Sequence, residues 1–275
     1  MLCGHDSDSF LIKEGGDIAR CPECGSFWDM ASVRAEFIYD GSYPESRGHT
    51  SEIIGQFKVR SLTQWLSQLK LDLANLRICE VGFGSGWPLA FMNRHARAAF
   101  GIEAIPDNIE HAARLGLPAQ HLFGTNNLPQ HLPDKIDLWV YQDSFEHIPD
   151  PRSHIEWVTL SSSPDAAVLL VLPEAASFSE KILGRWWPHR IADHSFHWSK
   201  KGLEHIWGQC GFEVIARFNP AKCLSLGMLV VHAAHMLGIK IPRRLASHGP
   251  VIWFNIGEQG LLLRRRSASV EVDLH

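Results

Sequence analysis

Residues 80–86 read Glu80-Val81-Gly82-Phe83-Gly84-Ser85-Gly86, and the architecture follows from them. They close a short apolar run, Leu76 to Val81, that reads as a buried strand, and they lead into a segment of helical character that extends to about Arg97. The glycines let the backbone turn sharply and let a ligand approach without meeting a Cβ, while the helix that follows directs unpaired N–H groups at the turn. A nucleotide-like ligand is the natural guest. The third glycine of a dinucleotide fingerprint would fall at the position after Gly86, but Trp87 stands there, which counts against NAD or FAD. Glu80 places a carboxylate beside the turn, where a pyrophosphate is repelled and an ammonium group is welcome.

Working outward, a second strand-and-helix unit runs from Ala98 to Gly116. Glu103 follows Phe100-Gly101-Ile102, at a distance of roughly 20 residues from the glycines that suits a carboxylate accepting hydrogen bonds from both ribose hydroxyls. An adenosine joined to an amino acid satisfies both carboxylates. Further apolar runs at Gln120–Phe123, Ile136–Tyr141 and Ala166–Leu172 alternate with helical segments, one of which starts at Pro151. Such alternation predicts a parallel sheet. Leu62, Trp65, Leu66 and Leu69 form the stripe of a helix that precedes the sheet. Beyond residue 200, Leu203, Ile206, Trp207 and Cys210 have helical spacing closed by Gly211, and Phe212, Val214, Ala216 and Phe218 alternate as a half-buried strand. The runs Val251–Ile256 and Gly260–Leu263 bracket Gly257 and are expected to form a hairpin.

Together these residues resemble motifs I and II of the class I S-adenosylmethionine-dependent methyltransferases, and Asp143-Ser144-Phe145-Glu146-His147-Ile148-Pro149-Asp150-Pro151 resembles the segment that follows strand 4 in that superfamily. The similarity covers about residues 75–265, and the Glu-His-hydrophobic-Pro-Asp-Pro run resembles most the ubiquinone-biosynthesis-like small-molecule methyltransferases. The resemblance implies a doubly wound, Rossmann-like α/β fold, mostly parallel with an antiparallel C-terminal hairpin, and S-adenosylmethionine as cofactor. Carried over by position, Glu80 holds the methionine amino group, Gly82, Gly84 and Gly86 line the cofactor, Glu103 holds the ribose, Ala104 lies near adenine, and Gln142 and Asp143 border the methyl group and the substrate. The chain departs from the family after strand 3, where Gly124-Thr125 replaces Gly-Asp, and before strand 5, where Ser162-Ser163-Pro164-Asp165 replaces Lys-Pro-Gly-Gly.

His147 is a candidate general base for a substrate hydroxyl, since a free imidazole titrates near neutrality, and it is equally placed to cap or brace the following helix. In some ubiquinone-type relatives the corresponding run holds a divalent cation, which here implies Asp143, Glu146 and His147, an oxygen-rich set suited to magnesium. The implied reaction is methyl transfer to a small-molecule acceptor, with oxygen as the first expected nucleophile. Two other classes stay open: a non-catalytic relative that binds the cofactor or a protein partner, and a nicotinamide-dependent oxidoreductase, which Trp87 disfavours.

At the N-terminus, Cys3-Gly4 and Cys21-Pro22-Glu23-Cys24-Gly25 resemble the zinc knuckles that precede the catalytic domain in some relatives, although the leading cysteine of the first knuckle is missing. His5 can replace it and complete a tetrahedral Cys3, His5, Cys21, Cys24 structural zinc site; the alternative is a degenerate, metal-free knuckle. The expected organisation is a small zinc-ribbon-like module over 1–38, a linker over 39–51, the cofactor-binding domain over 52–266 with inserts at about 174–198 and 221–250, and a tail over 267–275. The first insert, Gly184-Arg185-Trp186-Trp187-Pro188-His189-Arg190 and on through His194 and His197, is aromatic and basic and is expected to cover the site.

A formal net charge of −4 over 275 residues supplies no broadly basic surface, so nucleic acid is not an expected partner. Six cysteines outside any small-scaffold pattern, with no signal peptide, indicate a reducing compartment and a cytoplasmic location. The stretch Cys223–Ile239 lacks charged residues, yet its histidines, serine and glycines dilute it; a helix inserted before the final strands is expected, and no stable membrane span. Oligomeric state is not legible.

Overall fold

The computed structural model describes residues 3, 11–13, 18–29, 49–125, 128–184, 187, 189–190, 194–236, 239, 241–255 and 257–266. In chain order the elements are β1 (Leu11–Lys13), β2 (Ile18–Arg20), β3 (Phe27–Asp29), α1 (His49–Gln68), β4 (Arg77–Val81), α2 (Trp87–His95), β5 (Ala98–Glu103), α3 (Pro106–Arg114) and β6 (Leu122–Gly124). They continue as β7 (Ile136–Gln142), α4 (Pro151–Ser161), β8 (Ser162–Pro173), α5 (Phe178–Leu183), β9 (Phe196–His197), α6 (Lys200–Gln209), β10 (Phe212–Phe218), β11 (Lys222–Ser225), α7 (Leu226–Met236), β12 (Val251–Phe254) and β13 (Glu258–Arg265).

The main sheet has seven strands in the order β10-β13-β8-β7-β4-β5-β6. Strands β6, β5, β4, β7 and β8 run parallel, and β13 lies antiparallel between β8 and β10. The order reverses between β4 and β7, the topological switch point where open α/β sheets place a ligand beyond the strand carboxyl ends.

Successive side chains on each strand feed opposite faces, so each face has its own core. Cys79, Phe100, Trp139 and Leu170 pack with Ile155 and Val158 of α4 and with Leu203 and Trp207 of α6. Ile78, Ala99, Val140 and Leu169 pack with Leu62 and Trp65 of α1 and with Leu89 and Met92 of α2. This two-sided burial explains why the central strands read as unbroken apolar runs. Local chemistry sets the boundaries: Asp150 caps α4 by accepting from the Ser153 N–H at 3.1 Å with Pro151 in the first turn, and Gly211, at φ +87°, ends α6 in the left-handed conformation.

The expected hairpin between Val251–Ile256 and Gly260–Leu263 is corrected. Strand β12 pairs with β11, whereas β13 enters the main sheet. The Asn255 side chain accepts from the Gly257 and Glu258 N–H groups at 2.8 and 2.7 Å, and Gly257 adopts φ +101°; this local turn swings the chain from one sheet to the other. The apolar stretch 223–239 likewise splits into the end of β11 and the 11-residue helix α7. Among the described residues no helix is long and apolar enough to cross a membrane.

The cysteine-bearing N-terminal residues form a second sheet, β1-β2-β3-β9, whose last strand comes from the first insert. Phe27 is in register with His197 and Trp28 with Phe196. Residues 39–48 of the expected linker, the tail 267–275, and Arg185, Trp186 and Pro188 of the insert lie outside the described residues.

Candidate active site

All three loop glycines adopt the left-handed conformation, with φ +72° at Gly82, +55° at Gly84 and +78° at Gly86. A Cβ on Gly82 would stand 2.5 Å from the Ser144 Cβ. The close approach joins the loops after β4 and β7, and Ser144 seals it by donating its hydroxyl to the Val81 carbonyl at 2.6 Å. Gly86 plays the corresponding part against α3, since a Cβ there would lie 3.0 Å from the Ala112 Cβ.

The two predicted carboxylates flank this turn. Glu80, at 2% exposure, accepts from the Gln142 amide at 2.8 Å through Oε1, while its buried Oε2 has no hydrogen-bond partner. Burial lifts its pKa to about 8, against the opposing pull of the Lys58 ammonium on α1. Glu103 is held differently. Its Oε2 accepts from the Gly84 N–H at 2.7 Å, and its Oε1 accepts from the Ala104 and Ile105 N–H groups at 2.8 and 3.0 Å. Burial raises its pKa and these three N–H groups pull it back. Glu103 thus clamps the glycine turn to the end of β5, and Oε2, which accepts a single N–H, keeps a lone-pair direction for a hydroxyl donor.

Beyond β7, Asp143 takes φ +53° and accepts from Lys222 Nζ at 2.6 Å. The same ammonium bonds Glu258 at the start of β13. Burial opposes ionisation of Asp143, but Lys222 prevails and holds its carboxyl below the usual range. Lys222 engages Oδ2 of Asp143, while the buried Oδ1 has no hydrogen-bond partner. The groups that converge are Glu146, His147 and His194, whose ligand atoms lie within 4.8 Å of one another. Glu146 is 1% exposed and neither carboxylate oxygen has a hydrogen-bond partner. Burial, followed by repulsion from Asp143, drives its pKa well above the usual value.

The N-terminal cysteines also converge. The sulfurs of Cys3, Cys21 and Cys24 lie within 4.8 Å of one another, and all three are buried. The turn has the shape of a knuckle: Gly25 at φ +78° returns its N–H to the Cys21 carbonyl, and the Cys21 N–H reaches the Ser26 carbonyl. A hydrogen bond from Cys3 is the main cause that lowers the Cys24 thiol to about 4. His5 lies outside the described residues. In the insert, Trp187 packs against Phe27 and Ala175, and His197 stacks on Phe27 with ring centroids 4.3 Å apart.

Glu80, the three glycines, Glu103, Gln142 and Asp143 therefore surround one turn at the switch point, and Ala104 contributes its N–H to the Glu103 clamp. Sequence reasoning missed Lys58, Lys222, Glu258 and the partnership of His194 with Glu146. The clustering of histidines in the insert was the one local signal for the last of these.

A model of the methyltransferase domain matches residues 55–217. Comparison with curated proteins gives no match. Among solved structures, a methyltransferase-like protein of Bacillus halodurans aligns at TM-score 0.52 and 15% identity, covering 74% of this chain and 97% of its own. The YcgJ protein of Bacillus subtilis aligns at 0.51 and 13%, covering 75% and 98%. An S-adenosylmethionine-dependent methyltransferase of Mesorhizobium loti aligns at 0.50 and 15%, covering 74% and 98%. With more than half of its length matched by the family model, the chain belongs to the methyltransferase domain family, and it has the class I methyltransferase fold.

Proposed function

We propose that the chain transfers the methyl group of S-adenosylmethionine to a small-molecule acceptor, with an acceptor oxygen as nucleophile. The observation that carries this reading is the unpartnered Oε2 of Glu80, a buried carboxyl oxygen at the edge of the turn that three left-handed glycines form. It fits the amino-acid end of the cofactor, and Glu103 fits the ribose. When bound, the cofactor supplies an electrophilic methyl carbon. The chain contributes alignment: Glu80 binds the ammonium, Glu103 the ribose hydroxyls, and the paired Asp143 and Lys222 border the acceptor side. His147 takes the proton of the acceptor hydroxyl in this reading.

The neighbours of His147 favour a second role for it, as a cation ligand with Glu146 and His194. A buried carboxylate without a hydrogen-bond partner, beside two imidazoles, fits a divalent transition metal better than magnesium, because nitrogen donors suit zinc, iron or nickel. The two roles exclude each other, since a ligated imidazole has no lone pair for a proton. Metal analysis of the purified protein separates them. We further propose that Cys3, Cys21 and Cys24, with His5 as fourth ligand, hold a structural zinc ion; the lowered Cys24 thiol supports thiolate ligation. Six free cysteines support a cytoplasmic setting.

The test is calorimetric titration of the full chain with S-adenosylmethionine, followed by incubation with the labelled cofactor and small-molecule extracts. Binding with transfer of label to a small molecule is expected. No binding by the folded protein overturns the cofactor reading, and binding without turnover favours the non-catalytic class.

A further inference from the structure

Apolar exposure is not spread evenly over this protein. Among the described residues, ten of the twelve large exposed apolar side chains belong to two segments, α5 and residues 226–254. They include Phe178, Leu226, Val230, Val251, Trp253 and Phe254, with Phe178 at 80% exposure. The segments meet: Gly257, three residues beyond Phe254, lies against Ser177 and Ser179 at the start of α5. Within the second segment, the Leu226 and Gly227 N–H groups bond the Pro250 and His248 carbonyls, which ties the first turn of α7 to the start of β12. Scattered exposed apolar residues need no explanation, but a concentration of this kind marks a surface that something covers.

Charge identifies the cover. Between Glu213 and Glu258 the chain has no acidic residue, while Arg217, Lys222, Lys240, Arg243 and Arg244 are basic. Those 44 residues carry +5, so the remaining 231 carry −9. Lys222 is engaged internally with Asp143 and Glu258, and Arg217 on β10 pairs with Glu204 at 2.6 Å; Arg243 and Arg244 open the helical turn Arg243–Ser247 that lies between α7 and β12 in the chain. An isologous contact between two copies through this face would bring like charge onto like charge. An anionic lipid surface, in contrast, attracts the basic segment and repels the acidic remainder, which also orients the molecule. The apolar side chains include Trp253 and Phe254, ring types that partition into the headgroup boundary. With 11 residues, α7 is too short to span a bilayer, so the geometry is that of a helix and strand lying on it.

We propose that this apolar and basic face, formed by α5, α7 and β12, docks the protein on an anionic membrane surface. The proposal is independent of the chemistry assigned to the active site. The reach of Lys222 from β11 to Asp143 means that the docking segment is anchored at the site itself.

The experiment is vesicle flotation of the full chain, comparing phosphatidylcholine vesicles with vesicles that also contain phosphatidylglycerol. Binding to the anionic vesicles at least about tenfold tighter than to the neutral ones, and weakened by salt, is expected. The double substitution Trp253→Ser with Phe254→Ser should lower anionic-vesicle binding by about tenfold, and Arg243→Gln with Arg244→Gln should remove most of the lipid preference. Absence of binding, equal binding to both vesicle types, or a wild-type dimer that the Trp253 and Phe254 substitutions convert to monomer would overturn the proposal. The lipid and salt arms use wild-type protein, so they decide the matter even if a variant fails to fold.

Discussion

Replacing Glu103 tests the junction between fold and cofactor site. In Glu103→Ala the Gly84, Ala104 and Ile105 N–H groups lose their shared acceptor. A buried donor left unpaired costs about 1–3 kcal/mol, but Gly84 and Ala104 are only half-buried, so water recovers part of the loss there. The expected destabilisation is about 3 kcal/mol, which for a domain of this size lowers Tm by about 6–12 °C. Glu103→Gln divides the effect. Its amide oxygen can still accept from Ala104 and Ile105, while its NH2 meets the Gly84 N–H, a donor facing a donor; about 1 kcal/mol and a Tm loss of about 2–4 °C follow. Urea unfolding and calorimetric titration with S-adenosylmethionine, on the same preparations, provide the measurements. Both variants should bind the cofactor weakly. An alanine variant as stable as wild type, or a glutamine variant as damaged as the alanine one, would refute the clamp as described.

Three further outcomes are expected. Because burial holds Glu80 at about 8, it binds its proton more tightly folded than unfolded; stability from this group is full below the ordinary carboxylate pKa and is lost as pH rises towards 8. Glu80→Gln should therefore stabilise the ligand-free protein at pH 8 relative to pH 5, and cofactor binding near pH 6.5 should release close to one proton in wild type and none in the variant, as read by titration in buffers of different ionisation enthalpy. His154, which shares a 2.8 Å hydrogen bond with Tyr141, is pushed down by burial from 6.5 to about 4. Its contribution is present above pH 6.5 and lost as pH falls towards 4, so His154→Gln should flatten the acid limb of a Tm-against-pH curve; an unchanged limb removes the residue as its source. Gly82→Ala combines a left-handed backbone cost of about 1–2 kcal/mol with overpacking against Ser144 of about 1–3 kcal/mol. Gly116→Ala, where φ is +88° and nothing lies within 4 Å of the added methyl, should incur the first cost alone, and equal urea midpoints for the two would discount the close approach.

The parts of the site that were legible in the sequence are those that one strand end supplies by itself. Glu80 and the glycines occupy one turn, and Glu103 ends the next strand, so their spacing carries their geometry. Lys58, Lys222, Glu258 and His194 arrive from α1, β11, β13 and the insert, and no local pattern encodes where those elements cross. The misread hairpin has a similar cause. Two apolar runs bracketing Gly257 suggested two neighbouring strands, yet β12 is largely exposed and β13 is buried along most of its length. An unbroken apolar run such as Gly260–Leu263 fits a strand covered on both faces, which belongs inside a sheet and not in a surface hairpin.

The pairing of β3 with β9 also bears on the order in which the chain can be built. Their partners stand 170 positions apart, Phe27 with His197. During synthesis the N-terminal strands emerge first, yet their sheet stays open on the β3 side until residue 197 has left the ribosome, by which time the strands β4 to β8 are available to fold. Closing so long a loop is slow unless the intervening structure shortens it, and the folded parallel core does that by bringing the insert back towards β3. The cysteine-bearing sheet is thus first in synthesis and among the last to be completed.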